Sequence, residues 1–167
     1  RYWQNHQQAE MTGASQSYQQ ASEALTGGKA DGVALDEKFI EKNANNYGVL
    51  AALQLAQHEV DQKNFAKAEQ QLAWAQGQTK DENLKSLIDL RLARVQLQEN
   101  KLDDALKTLD LIKATGWVAM AQDIRGDVLV KKGDVKGARE AYSKGLASDA
   151  SQSLQGLLRM KLNNLSN

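Results

Sequence analysis

The sequence predicts an all-α fold, a solenoid of helical hairpins flanked by an N-terminal and a C-terminal helix. Three observations predict it. The stretch from Asn83 to Trp117 reads as two amphipathic helices hinged at Glu99-Asn100-Lys101. The first carries Leu84, Leu87, Ile88, Leu90, Leu92, Ala93, Val95 and Leu97, and the second Leu102, Ala105, Leu106, Leu109, Leu111 and Ile112. These spacings put most of each set on one broad face that neither helix buries alone. The same pattern recurs on both sides of the stretch. Finally, the absence of proline and an aromatic content of only 5% argue against β-structure.

The recurrence has a period. Phe65-Ala66-Lys67-Ala68 aligns with Leu102-Asp103-Asp104-Ala105 and with Val135-Lys136-Gly137-Ala138, and the alanines stand 37 and then 33 residues apart. A helix-turn-helix period near 34 is the signature of tetratricopeptide (TPR) repeats. A large residue opens each second helix, and a small one three positions later lets its partner approach closely. Leu72, Leu109 and Tyr142 follow four further on, and the first helices carry small residues at Ala56, Ala93 and Gly126. The missing proline departs from the many TPR units that end with one.

Taken in order, residues 1–25 are expected to form one helix with a narrow seam at Met11, Ala14, Tyr18, Ala21 and Leu25. That seam pairs with another copy or docks on the chain's own repeats. Arg1-Tyr2-Trp3 reads either as an interfacial anchor or as a terminus with two chance aromatics. The chain opens without an initiator methionine, so an upstream segment is expected to have been removed. Gly27 and Gly28 end the helix. Gly28-Lys29 is not a phosphate loop, because Glu23 and Ala30 occupy the positions that need Gly and Ser or Thr. A short helix near 34–44 carries Leu35, Phe39 and Ile40. The TPR-like domain is placed at 33–167, with repeats at about 47–78, 83–115 and 116–149. Asp134 is the expected N-cap of the helix that follows it. Ser151 is expected to open a capping helix at 151–165, whose leucines cover the end of the stack.

Composition excludes several function classes. Lys plus Arg and Asp plus Glu both number 21, and this zero net charge argues against nucleic acid as a partner. No cysteine is present, so thiolate metal sites and cysteine nucleophiles are absent. His6 and His58, the two histidines, lie in different helices without a second ligand at helical spacing. Asp81-Glu82 and Asp103-Asp104 are adjacent carboxylates that do not face each other on a helix, and they read as partners of helix dipoles. Lys131, Lys132, Lys136, Arg139 and Lys144 are interrupted by acids and read as a solvated face. Nothing predicts catalysis, a metal or a cofactor.

The remaining surface predicts protein binding. In a TPR stack the first helix of each unit lines the concave side. The repeat pattern projects Leu50, Leu53, Gln57 and Val60 there from the first unit. It adds Leu87, Leu90, Arg94 and Leu97 from the second, and Met120, Asp123, Asp127 and Val130 from the third. Such an apolar wall either receives extended polypeptide, oriented by Arg94 and the two aspartates, or is filled by the chain's own terminal helices.

Arg1-Tyr2-Trp3, Tyr47-Gly48, Asp81 to Lys85, Leu90 to Gln96, Ala105 to Asp110, Gly116-Trp117, Lys132-Gly133-Asp134 and Lys161 to Ser166 together resemble the YfgM family. That resemblance covers essentially the whole chain. It implies an ancillary subunit of the bacterial SecYEG translocon, with one upstream inner-membrane helix and this domain on the periplasmic side. It also implies partnership with a membrane-anchored chaperone of the prolyl-isomerase type (PpiD) and with emerging secretory polypeptides. Whether such a subunit grips clients or only tethers a chaperone stays open. The family carries no catalytic motif.

Overall fold

The computed structural model describes residues 46–165. The helices expected over residues 1–25 and near 34–44, with the seam and the Tyr2-Trp3 anchor, lie outside the described residues, as does His6. Every regular element among the described residues is helical, in keeping with the all-α expectation. The helices are α1 (Asn46–Asp61), α2 (Phe65–Gln76), α3 (Glu82–Gln98), α4 (Leu102–Asp110), α5 (Val118–Lys132), α6 (Val135–Ala147) and α7 (Gln152–Leu165), with a 3-10 turn at Thr115–Trp117 before α5. The described residues divide into two compact units between Thr79 and Lys80.

All three hairpin turns are built alike. Lys63, Asn100 and Gly133 stand at equivalent repeat positions, and each has a left-handed backbone, with φ of 62, 63 and 84°. In each turn the left-handed residue's N–H bonds the carbonyl three back, and the next N–H bonds the carbonyl five back. The pairs are Lys63 to Val60 and Asn64 to Glu59, Asn100 to Leu97 and Lys101 to Gln96, and Gly133 to Val130 and Asp134 to Leu129. This double closure satisfies the last carbonyls of the first helix and ends it without proline. The following helix then starts at once. Only the third turn uses the glycine that this conformation favours.

In the first unit α1 packs on α2. Ala68, Leu72 and Ala75 are buried on α2, while Val49, Ala51, Ala52, Leu55 and Ala56 are buried on α1. Burial at 51, 52 and 53 in succession shows that α1 is enclosed on more than one side. The Glu59 carboxylate is buried and accepts from Asn64 Nδ2 at 3.1 Å, which ties the turn back to the helix.

The second unit holds two hairpins, α3–α4 and α5–α6, with α7 packed on α6. Leu90 and Ala93 of α3, Ala105 and Leu109 of α4, Ile112, and Ala121, Ile124 and Val128 of α5 form one apolar cluster. A second cluster joins Ala138 and Tyr142 of α6 to Leu158 of α7. At Gly126 the Tyr142 ring of α6 lies directly against α5: a Cβ there would stand 2.1 Å from it. Across the first hairpin, buried Thr108 Oγ1 donates to Gln96 Oε1 at 2.6 Å. Side chains cap the starts of α3, α6 and α7: Asp81 accepts from Leu84 N at 2.8 Å, Asp134 from Gly137 N at 2.9 Å and Ser151 from Leu154 N at 3.2 Å.

The last helix continues the repeat. Leu158, Lys161 and Leu162 follow Ile124, Asp127 and Val128 by 34 residues, and Leu158 and Leu162 enter the second cluster as Ile124 and Val128 enter the first. In position, α7 is therefore the leading helix of a further unit rather than an unrelated lid.

Candidate protein-binding surface

The leading helices are buried more widely than a one-sided stripe predicts. In the second unit, α3 and α5 each contact their own trailing helix and also each other, so two faces are covered. In the first unit, Leu53 is buried, Val60 half-buried and Leu50 41% exposed. Gln57 is exposed there and donates to Asp61 Oδ1 at 3.0 Å.

In the second unit, Leu90 belongs to the first apolar cluster, and Leu97 and Met120 pack against it. Thus Leu53 and Leu90 are core residues rather than lining. Leu87 is half-buried, Arg94 exposed and Val130 44% exposed. The least buried line along α3 runs through Leu87, Arg91, Arg94 and Gln98, at spacings of four, three and four. Arg91 was not among the residues projected from sequence. Neither Arg91 nor Arg94 has a hydrogen bond or ion pair among the described residues.

The two aspartates of α5 are in a different state. Lys161 Nζ donates to Asp123 Oδ1 at 2.7 Å and to Asp127 Oδ2 at 3.0 Å. Tyr142 donates its hydroxyl to Asp127 Oδ1 at 2.6 Å, and the Lys161 ammonium lies 5.9 Å from the centre of the Tyr142 ring. Burial pushes the Tyr142 hydroxyl pKa well above the ordinary tyrosine value, and the hydrogen bond to Asp127 adds to the rise. Burial works against the Lys161 charge, but the hydrogen bonds to Asp123 and Asp127 outweigh it and raise its pKa above the usual lysine value. The chain's own α7 therefore occupies the acidic part of the projected lining. Sequence reasoning missed Lys161 and Tyr142, although the 34-residue offset from Asp127 to Lys161 was available as a signal.

On another side of α5, an open cleft of about 440 Å³ is lined by Asp110, Gln122, Arg125, Leu129, Gly137, Glu140, Ala141 and Lys144. Arg125 and Asp110 form an ion pair in its wall, so two of its four charged side chains balance each other. Among the described residues no three His, Cys, Asp or Glu side chains are grouped to hold a metal. His58 is a half-exposed residue of α1. Asp103 of the adjacent-acid pairs bonds Lys132 Nζ at 2.5 Å, which holds its carboxyl below the usual range. Among the described residues, Lys131 and Arg139 of the basic run donate to the backbone carbonyls of Leu97 and Leu165. No described helix is long and apolar enough to cross a membrane.

Residues 1–167 match the family described as a tetratricopeptide repeat-like domain. Over 166 residues the chain is 49% identical to the ancillary SecYEG translocon subunit of Escherichia coli (strain K12), covering 99% of this chain and 81% of that relative. The chain belongs to the ancillary SecYEG translocon subunit family. A family member from Haemophilus influenzae is 36% identical over 166 residues, again 99% of this chain and 81% of the relative. Solved structures extend the likeness of fold beyond the family. TPR-like repeats described as kinesin light chain from Podosopora anserina match with a TM-score of 0.69 at 14% identity, over 90% of this chain and 83% of that one. MamA RS-1 matches at 0.66 and 13%, over 92% and 94%. At such identities the family shares with these two its architecture alone. Its helical-repeat fold is one that serves protein interaction.

Proposed function

We propose that this chain is a non-catalytic protein-binding module of the bacterial Sec translocon. It sits on the periplasmic side of the inner membrane, tethered by a single upstream helix. There it captures extended secretory polypeptide, or a segment of a membrane-anchored partner chaperone, on its leading-helix surface. Membership of a family named for the translocon supports the setting. The observation that carries the binding role is the line Leu87–Arg91–Arg94 on α3, half-buried at Leu87 and Arg91 and exposed at Arg94, an apolar side chain beside two cations unpaired among the described residues. A few half-exposed apolar contacts contribute about 1–3 kcal/mol each before the cost of ordering a chain. Capture of that kind is weak and reversible, as transfer between chaperone and channel requires.

A second reading, a purely structural adaptor that never touches clients, draws support from the Lys161 contacts. They remove Asp123 and Asp127 from the surface offered to a ligand. Photo-cross-linkers at Leu87 and Arg94 in living cells separate the two. Labels on nascent secretory chains favour capture, and labels only on translocon or chaperone subunits favour the adaptor. An absence of labels at both positions defeats the leading-helix surface altogether. Leu90→Asp does not serve this purpose, because Leu90 is 4% exposed in the core and a charge there would destabilise the unit whatever it binds.

A further inference from the structure

We propose that the leading-helix surface of the second unit selects acidic over basic partner segments, with Lys161 acting as a built-in plug of its acidic pair. This rests on the capture reading above and names the chemistry of the segment captured. Arg94, Asp127 and Lys161 stand at one repeat position in successive leading helices, 33 and 34 residues apart. Their states differ. Asp127 accepts from both Tyr142 and Lys161, and Asp123 is 5% exposed with Lys161 on its Oδ1. A basic side chain arriving at α5 finds both carboxylates engaged and must first displace an ammonium already held by two of them.

On α3 the situation is reversed. Arg91 and Arg94 have no hydrogen-bond or ion-pair partner among the described residues, and they lie one turn apart beside Leu87. Side chains at that helical spacing have Cβ atoms about 5–6 Å apart. Alternate residues of an extended chain are about 6.6 Å apart on one face. The occupant that fits is therefore an extended polypeptide segment with carboxylates at alternate positions and an apolar side chain for Leu87. A second copy of this surface would bring arginine against arginine and does not fit.

The test uses the full chain and short fluorescein-labelled peptides with one leucine cluster flanked by Glu, Lys or Gln, read by fluorescence anisotropy. The Glu peptide is expected to bind about tenfold more tightly than the Lys peptide at low salt, from two exposed charge pairs. That margin shrinks as salt is added. Arg91→Glu with Arg94→Glu, both outside the core, inverts the preference. Lys161→Met frees Asp123 and Asp127 and raises affinity for the Lys peptide several-fold while leaving the Glu peptide unchanged. Circular dichroism of each variant confirms that the helices are intact.

Equal binding of all three peptides, unmoved by the arginine substitutions, overturns the selectivity and leaves capture standing. If no peptide binds, and Leu87→Asp leaves cellular cross-linking unchanged, capture falls and the selectivity with it. Retention of the chain by anionic phosphatidylglycerol vesicles through Arg91 and Arg94, without peptide binding, also overturns the proposal.

Discussion

Gly126→Ala tests the way α5 and α6 meet, because two well-defined effects oppose each other there. In an exposed helix the change stabilises by about 1 kcal/mol through helix propensity. At this position the new methyl would lie 2.1, 2.4 and 2.6 Å from three carbons of the Tyr142 ring, where carbon atoms ordinarily rest about 3.5–4 Å apart. The ring cannot simply swing away, since Tyr142 is buried and its hydroxyl is held by Asp127 at 2.6 Å. Overpacking of this kind costs about 1–3 kcal/mol. Losing a hydrogen bond to a carboxylate costs about 1.5–3 kcal/mol more. Set against the propensity gain, the expected net loss is about 1.5–5 kcal/mol, a fall in Tm of roughly 3–20 °C for a chain of this size. Urea and thermal unfolding followed by circular dichroism measure it. Gly156→Ala is the control: it sits in α7 with nothing within 4 Å of its would-be Cβ, and it should gain up to about 1 kcal/mol. In a Tyr142→Val background the Gly126→Ala penalty should vanish, giving a coupling of about 2 kcal/mol. If Gly126→Ala is as stable as the parent, or its penalty persists without the ring, the close approach of these helices is wrong.

The hairpin turns give a second prediction: Lys63→Gly and Asn100→Gly should each stabilise by about 0.5–1 kcal/mol by relieving a left-handed backbone. Gly133→Ala should destabilise by about 1 kcal/mol, all three read from urea midpoints. The caps give a third, since Asp81→Ala and Asp134→Ala should each cost about 1 kcal/mol in the same assay. A fourth concerns pH. Tyr142 and Lys161 both have raised pKa values in the folded chain, so each holds its proton more tightly folded than unfolded. The stability they contribute is fully present below the unfolded values near about 10 and is lost as pH rises past them. Urea midpoints should therefore drop on the alkaline side of about pH 10, and the drop should be smaller for Tyr142→Phe and Lys161→Met.

The helical-hairpin architecture was legible because it depends on residue size at a fixed spacing. Ala68, Ala105 and Ala138 are all fully buried where a trailing helix meets its partner, and a small residue every 33 to 37 positions is visible in any alignment of the chain with itself. Depth of burial along the leading helices was not legible. Leu87 and Leu90 are the same residue type a turn apart, yet one is half-buried and the other is core. A period of 3.6 locates one face, whereas these helices are covered on two, and which leucine remains outside depends on where the next hairpin lands. The lack of proline, which weakens a reading of repeat boundaries, has a backbone answer: Lys63, Asn100 and Gly133 turn the chain by left-handed closure instead. Partnerships across units of the repeat were hidden for a different reason. Lys161 meets Asp123 and Asp127 at sequence separations of 38 and 34, which no local pattern pairs and which only the repeat offset carried on into α7 could have signalled.

The α7 contacts connect stability to the surface that a partner would meet. A solenoid needs its last apolar face covered, and Leu158, fully buried against Ala138 and Tyr142, does that for the second unit. Because α7 occupies a leading-helix position, the side chain one turn beyond Leu158 falls on the row that also holds Asp127 and Arg94. A lysine there is drawn to the aspartates of α5, and Tyr142, which Gly126 admits to the interior, supplies the remaining hydrogen bond to Asp127. Coverage of the core and neutralisation of the acidic pair are thus consequences of a single docking geometry. Any change that loosens α7 should expose apolar surface and two carboxylates together. Conversely, the cations of α3 can engage a partner without breaking a hydrogen bond or ion pair, since neither Arg91 nor Arg94 makes one among the described residues.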